Sequence, residues 1–285
     1  MAMRSLDHFA HAVRDLDRAG AAFERLGFQV LPVARHADIG SCNRIFQLGH
    51  TYYELVADLD RSLPLLRDRM MPRFQCGDGM AIVSLTSDDL PGDREAVVAA
   101  GLVPDPIINA RRAIPMPDGT TDETNSHCFY VWRDERRRYL TLFLSHHYKP
   151  ETIFVPAYQR HPNGALDVRG LIYGSEDPLG DADYFAAMFG APPSRRTPTA
   201  LIFTTPRGES VEIIAPPLLG DRFGAAAPAW CGLLGGYGVG IEIRVEKFDR
   251  TRGLLAANGV PVIEIGAQLV VPATHGAGMV ISFVE

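Results

Sequence analysis

The stretch Leu6-Asp7-His8-Phe9-Ala10-His11-Ala12-Val13 runs straight into Arg14-Asp15-Leu16-Asp17, and the change of hydrophobic period at that junction decides the fold. From His8 to Val13 the chain reads as a strand, whose side chains alternate between two faces. His8, Ala10 and Ala12 share one face, and Phe9, His11 and Val13 share the other. Beyond Asp15, the residues Leu16, Ala19, Phe23 and Leu26 are spaced as one apolar stripe of a helix. Gly27 stops that helix, as a glycine after the last turn often does. Strand-like stretches follow at 29–33, 43–48 and 51–57, the last containing Tyr53-Glu54-Leu55-Val56. The unit is βαβββ, with a His in its first strand and a Glu in its last. His and Glu are ligands that suit Zn, Ni, Mn or Fe(II).

The same order returns further along. Residues 171–175 are strand-like, and Glu176-Asp177-Pro178 opens a helix. Tyr184, Phe185, Met188 and Phe189 give that helix its apolar face, and Gly190 closes it. Strands at 200–204 and 210–214 follow, the second carrying Glu212. Phe23 stands as far beyond Asp15 as Phe185 does beyond Asp177. A spacing shared by helix start, helix face and last strand is better evidence of duplication than one match. Two weaker copies fill the gaps. One has a strand at 81–86, a helix after Asp88-Asp89-Leu90 that ends at Ala100-Gly101-Leu102, and a strand at 139–145. The other has a strand at 240–245, a helix from Phe248-Asp249 to Asn258-Gly259, and a strand at 279–284. The expected class is α+β with four βαβββ modules. Residues 1–147 form a first domain, 148–165 a linker rich in Pro and Gly, and 166–285 a second domain.

Composition narrows the function classes. The chain has 285 residues, 46% hydrophobic and 22% charged, with a net charge of -6. An acidic balance argues against nucleic acid or an anionic membrane as partner. Arg133-Asp134-Glu135-Arg136-Arg137-Arg138 is broken by acids and reads as a solvated hairpin turn. No apolar run approaches the ~20 residues of a membrane helix, and the first residues lack a signal-peptide core. Cys42, Cys76, Cys128 and Cys231 form no CxxC pair, so reduced thiols in a cytoplasmic protein are the expectation.

Four βαβββ modules in this order resemble the vicinal-oxygen-chelate superfamily, which includes glyoxalase I, extradiol dioxygenases and fosfomycin-resistance proteins. The residues that carry the resemblance are Leu6-Asp7-His8, Val13-Arg14-Asp15-Leu16, Phe23-x-x-Leu26-Gly27-Phe28 and Tyr53-Glu54-Leu55. His146-His147-Tyr148-Lys149-Pro150-Glu151, followed by His161-Pro162-Asn163-Gly164-Ala165, resembles the glyoxalase-like subgroup. The resemblance implies two cupped mixed sheets of two modules each. It also implies that the first and last strands of each module supply metal ligands. Carried over, the first cup offers His8 and Glu54, with a third position near Ile82, which cannot ligate, and a fourth within 139–147. The second cup offers Gly170 (or Arg169), Glu212, Gly240 and Ser282, so no metal is expected there.

Each candidate has a plainer role beside it. His8 shares its face with two alanines, which leaves space for a ligand; otherwise it is a hydrogen-bonded core residue. A carboxylate at Glu54, inside an apolar strand, has to be paired, metal-bound or protonated, and it is expected as metal ligand or catalytic base. Glu212 is expected in an ion pair with Arg169 or Arg244. His146 and His147 are adjacent on a strand, so one of them at most enters the cup, with a slight preference for His146. It would complete a His-His-Glu set. Asn43 is expected to bind substrate through its amide, or else to cap a turn. His161 is either a turn residue or, by the subgroup resemblance, a substrate-binding one. His11 is expected on the helix-packed face. No Gly-x-Ser-x-Gly is present.

The expected function is a metal-dependent lyase or isomerase acting on a small oxygen-chelating substrate. A divalent ion (Zn, Ni, Mn or Fe) would act as Lewis acid toward an enolate-like oxyanion, and Glu54 would move the proton. The alternatives are a binding or resistance protein without turnover and a ring-cleaving dioxygenase. Such a protein is expected to be cytoplasmic, with a homodimer as its expected assembly.

Overall fold

The computed structural model describes residues 3–133 and 141–285. The basic run beyond Arg133 and the first two residues of the strand expected at 139–145 lie outside the described residues. The first module is β1 (Leu6–Ala12), α1 (Leu16–Arg25), β2 (Ala34–Arg35), β3 (Cys42–Gln47) and β4 (Tyr52–Ala57). A short helix, α2 (Pro64–Met70), leads to the second module: β5 (Gly79–Thr86), α3 (Leu90–Ala99), β6 (Ile108–Ala110), β9 (Ser126–Trp132) and β10 (Thr141–His147). Between β6 and β9 a small hairpin is inserted, β7 (Ala113–Pro115) and β8 (Thr121–Glu123). The third module is β11 (Ala165–Ser175), α4 (Pro178–Phe189), β12 (Arg195–Thr197), β13 (Ala200–Thr204) and β14 (Ser210–Ile214). Helix α5 (Leu219–Phe223) leads to the fourth: β15 (Gly236–Val245), α6 (Phe248–Ala257), β16 (Ile263–Ile265), β17 (Gln268–Val271) and β18 (Val280–Val284). Among the described residues, no helix is long and apolar enough to cross a membrane.

Two eight-stranded sheets result, in the orders β2-β3-β4-β1-β5-β10-β9-β6 and β12-β13-β14-β11-β15-β18-β17-β16. In each, the first strands of two modules pair antiparallel at the centre, and each pairs in parallel with the last strand of its own module. Aspartates start α1, α3 and α4: Asp15 accepts from Arg18 N–H (2.9 Å), Asp89 from Gly92 N–H (3.1 Å) and Asp177 from Gly180 N–H (2.9 Å). Each satisfies a donor that the first helical turn leaves free. Gly190 closes α4 at φ 75, a left-handed conformation that glycine adopts without a Cβ penalty. The strand expected at 29–33 is not formed. Leu31 N–H reaches the Ile45 carbonyl (2.7 Å), but Pro32 has no N–H with which to continue the ladder.

One face of both sheets, with the helices, encloses a continuous core that runs from Phe9, Phe23 and Tyr53 to Phe185, Phe203 and Phe283. Smaller apolar clusters occupy the opposite face of each sheet, around Ala10, Ile82 and Phe143 in the first and Ile172, Phe223 and Val280 in the second. Polar ties reinforce the shared core. Tyr184 donates to the Val131 carbonyl (2.8 Å) and accepts from Leu142 N–H (2.7 Å). The segment 148–164 is pinned to the first sheet through Val155 N–H to Gln47 Oε1 (2.8 Å) and Gln159 Nε2 to the Leu48 carbonyl (2.6 Å).

His11 is another such tie. It is fully buried, with Nδ1 2.6 Å from the Tyr53 hydroxyl and Nε2 2.8 Å from the Ala277 carbonyl. Burial pulls its pKa down to about 3. The folded state therefore keeps a neutral ring while the unfolded chain, titrating near 6.5, takes up a proton. Stability from this site is complete above pH 6.5 and is lost as pH falls toward 3. Urea midpoints measured from pH 8 to pH 4 should fall below pH 6.5, and less steeply in His11→Gln. Parallel declines in the two proteins would refute the assignment.

The reduced-thiol expectation needs correction for one pair. Cys76 and Cys231 are joined in a disulfide, with Cα atoms 5.7 Å apart and a sequence separation of 155, whereas Cys42 and Cys128 are buried free thiols. No short motif marks a pair so far apart. In the chain-entropy view such a link restricts the unfolded state. Reduction is expected to cost about 2–4 kcal/mol, measured as a lower urea midpoint in dithiothreitol, and Cys76→Ser should show no further response to the reductant.

Candidate metal and substrate centre

The site begins with an irregularity in β1. Leu6 pairs with Leu85 but His8 pairs with Ser84, so β1 carries one extra residue there. A bulge of this kind breaks strand alternation. Asp7 and His8, although adjacent, consequently reach the same place. The Asp7 carboxylate makes a very short contact with His8 Nδ1 and lies 3.0 Å, through each oxygen, from His147 Nε2. His147 stands opposite Ser126 on β9, whose hydroxyl is 2.6 Å from Nδ1. The His8 ring is stacked on Tyr52 (4.2 Å between centroids) and meets Phe143 edge-on (5.0 Å). Ligand atoms of Asp7, His8 and His147 all lie within 4.8 Å of one another.

Two of the three groups shift one another's ionisation. Burial opposes ionisation of Asp7, but the charge and hydrogen bonds of His147, and then of His8, hold its carboxyl well below the usual range. Burial likewise works against a charged His147, yet the Asp7 charge and hydrogen bond outweigh it and raise the imidazole above its ordinary pKa. Next to the trio, a cavity of about 50 Å³ is bounded by His8, Tyr52, Glu54, Arg112, Cys128 and Ser126, among others. Burial pushes the Cys128 thiol up to about 12, so it stays protonated.

Glu54 lines the same cavity as His8, one layer along: His8 pairs with Tyr52, and Ala10 with Glu54. Its Oε1 accepts from Asn43 Nδ2 (2.6 Å) and lies 3.5 Å from His36 Nε2. Burial lowers the His36 pKa, which leaves the imidazole neutral. Glu54 stands outside the group formed by Asp7, His8 and His147. Asn43 was expected to touch substrate. It lies behind Glu54 and orients it.

The histidine pair divides as strand alternation requires. His147 turns toward Asp7 and His8. His146, the slightly preferred member, turns away, its Nδ1 2.8 Å from the Ser87 carbonyl and its ring against Tyr148. His161 is a correction. Gln29 N–H donates to its Nδ1 (3.0 Å), and its Nε2 donates to the Gln47 carbonyl (2.8 Å). Both nitrogens are engaged by backbone, so the expected substrate contact gives way to a structural tie. Ile82 belongs to the Glu54 layer; the residue facing His8 on β5 is Ser84, whose hydroxyl bonds Ser145 (2.9 Å).

In the second sheet, Gly170 holds the place of His8 and pairs with Glu242, a residue the sequence reading passed over. Arg222 on α5 bonds Glu242 closely and also meets Glu212 at 3.3 Å and 3.4 Å; Gln268 Nε2 adds a bond to Glu242 (2.7 Å). The partner of Glu212 is thus Arg222 rather than Arg169 or Arg244.

The donor set of the first sheet fits a divalent ion. One carboxylate and one imidazole on the bulged strand β1, with a second imidazole from the end of β10 beyond β5, leave coordination positions free for substrate oxygens. Ser126 holds the far nitrogen of His147, as outer partners of metal-bound histidines do.

The amino-acid sequence matches the family model of a glyoxalase-like domain over residues 6–187. The chain belongs to the glyoxalase-like domain family. Solved structures extend the likeness to the whole glyoxalase-like chain, at identities that speak to fold alone. A hypothetical protein from Staphylococcus aureus superposes with a TM-score of 0.69 at 9% identity, covering 99% of both chains. A mutant of 4-hydroxymandelate synthase from Streptomyces coelicolor gives 0.61 at 14% identity, covering 99% of this chain and 92% of the other. A xylose isomerase-like TIM barrel/4-hydroxyphenylpyruvate dioxygenase fusion protein gives 0.61 at 11%, covering 99% of this chain and 48% of the fusion. No curated protein matches the sequence. The two cupped sheets are those of the vicinal-oxygen-chelate superfamily, whose members commonly use a divalent metal and bind small molecules.

Proposed function

We propose that this glyoxalase-like protein is a metal-dependent enzyme of the lyase or isomerase type, acting on a small substrate that offers two neighbouring oxygens. The convergence of Asp7, His8 and His147 beside a small cavity carries the reading. Bound there, a divalent ion supplies a Lewis acid to the substrate oxygens. The chain's own groups do the rest. Glu54, which points into the cavity and is held by Asn43, takes and returns the proton. Tyr52, Phe143 and Ile82 keep water away from it. Elemental analysis of protein purified without chelator should find a stoichiometric divalent ion, and metal-free protein should be the reading's failure. Iron accompanied by oxygen uptake would select dioxygenase chemistry instead.

One observation favours a second reading. Asp7, His147 and Ser126 form an unbroken carboxylate–imidazole–hydroxyl chain (3.0 Å and 2.6 Å), the arrangement that activates a serine nucleophile. Here Ser126 would attack an acyl group without a metal: neutral His147 would take the hydroxyl proton and pass it to the leaving group as that group's bond to the acyl carbon breaks. Labelling of Ser126 by a fluorophosphonate probe in metal-free protein supports this reading, and its absence removes it.

A further inference from the structure

Arg111 and Arg112 are neighbours with opposite fates. Arg111 faces solvent and grips Asp38 with two bonds of 2.9 Å. Arg112 turns inward, is 5% exposed and lines the cavity. Among the described residues, no carboxylate lies within 4.0 Å of its guanidinium and no hydrogen bond from it is found; its buried Nη2 meets no acceptor. The backbone fixes it there: Arg112 N–H donates to Thr124 Oγ1 (3.1 Å), Thr124 N–H donates to its carbonyl (2.9 Å), and the residue bridges to His36. An arginine cannot shed its charge in a protein, and burying it without a partner is strongly unfavourable. Glu54, the other charge in the cavity, already has Asn43 and His36. The cavity therefore has one satisfied acceptor end and one unsatisfied cationic end.

We propose that Arg112 receives the carboxylate of the ligand, and that the ligand is a short hydroxy acid whose hydroxyl faces Glu54. A guanidinium pairs with a carboxylate through two parallel bonds, and Glu54 is an acceptor suited to a hydroxyl proton. Size sets the length. A cavity of about 50 Å³ is only a few times the ~10–15 Å³ that admits a single water, which favours a short acid over a long one. The assignment rests on the metal-centred reading of the same cavity and adds the substrate class.

Glycolate and its neutral isostere glycolamide test it. Calorimetric titration is carried out on protein as purified, with metal content measured on the same samples. Glycolate should bind the wild type at least ~10-fold more tightly than glycolamide, the order expected for a charge-assisted pair. Arg112→Met should lose that preference, and Arg112→Lys should restore part of it. Equal affinities for the two compounds, no binding of glycolate, or an unchanged preference in folded Arg112→Met would each overturn the proposal. If Arg112→Met fails to fold, the wild-type comparison decides alone. A glycolate preference in metal-free protein would leave Arg112 in place and remove the metal reading. Stoichiometric metal with no preference would do the reverse.

Discussion

His147→Ala is expected to strip the protein of its divalent ion, while His146→Ala keeps it at wild-type occupancy. Adjacent residues of β10 face opposite ways, and only His147 reaches Asp7 and His8. Its neighbour is committed to the Ser87 carbonyl. Losing a direct ligand should weaken binding more than about 100-fold, beyond the 10–100-fold typical of an outer partner. Ser126→Ala supplies that milder comparison, because the Ser126 hydroxyl bonds the far nitrogen of His147. Competition with a chromogenic chelator measures all three on one scale. Metal loss in His146→Ala with retention in His147→Ala would reverse the assignment; retention in both would leave the pair structural and favour a binding protein without turnover.

The largest effect on stability should come from Phe23→Ala. Phe23 is fully buried on α1 and is the hub of an aromatic cluster. Its ring lies 5.1 Å from Tyr53, 5.4 Å from Phe46 and 6.0 Å from Phe28, and it meets His11 edge-on at 6.1 Å. Truncation removes apolar contact and leaves a void that rigid rings cannot close, for a cost of about 3–5 kcal/mol. Leu16→Ala, at the partly buried start of the same helix, should cost much less. Urea midpoints rank the two, and a Phe23→Ala loss below about 1 kcal/mol would show that the cluster repacks.

The fold was legible in the sequence because its signals are local and repeated. Asp15, Asp89 and Asp177 announce three helices, and Gly27 and Gly190 end two of them. Alternation in residues 8–13 separates a cavity face from a core face. The stretch 29–33 misled because apolar residues around Pro32 imitate a strand that proline cannot complete. The site was harder to read. Alternation assigns Asp7 to the face opposite His8, and only the β1–β5 register reveals the bulge that reunites them. Arg112, His36 and Ser126 come from distant strands and an inserted hairpin, so no spacing links them to His8. Glu242 was missed because placing Ser282 and Gly240 in one layer shifts the register of β15 by two residues. The Cys76–Cys231 pairing depends on how the two sheets face each other, which no local pattern encodes.

The shared core and the ties across it bear on what happens when the chain is cut. The exposed Tyr148 begins the segment 148–164, and a protease nick there would leave two fragments held by the Cys76–Cys231 bond, by His11 on Ala277 and by Tyr184 on Val131. Such nicked protein should migrate as one species under non-reducing conditions and retain its cavity, because Asp7, His8, Glu54, Arg112 and His147 all lie on the amino-terminal fragment. That fragment made alone would still carry every ligand, yet would expose the apolar face it now shares with Phe185 and Phe283. It should therefore be insoluble until the other half is supplied in trans, so the carboxy-terminal half acts as an attached folding partner for the chemistry of the first.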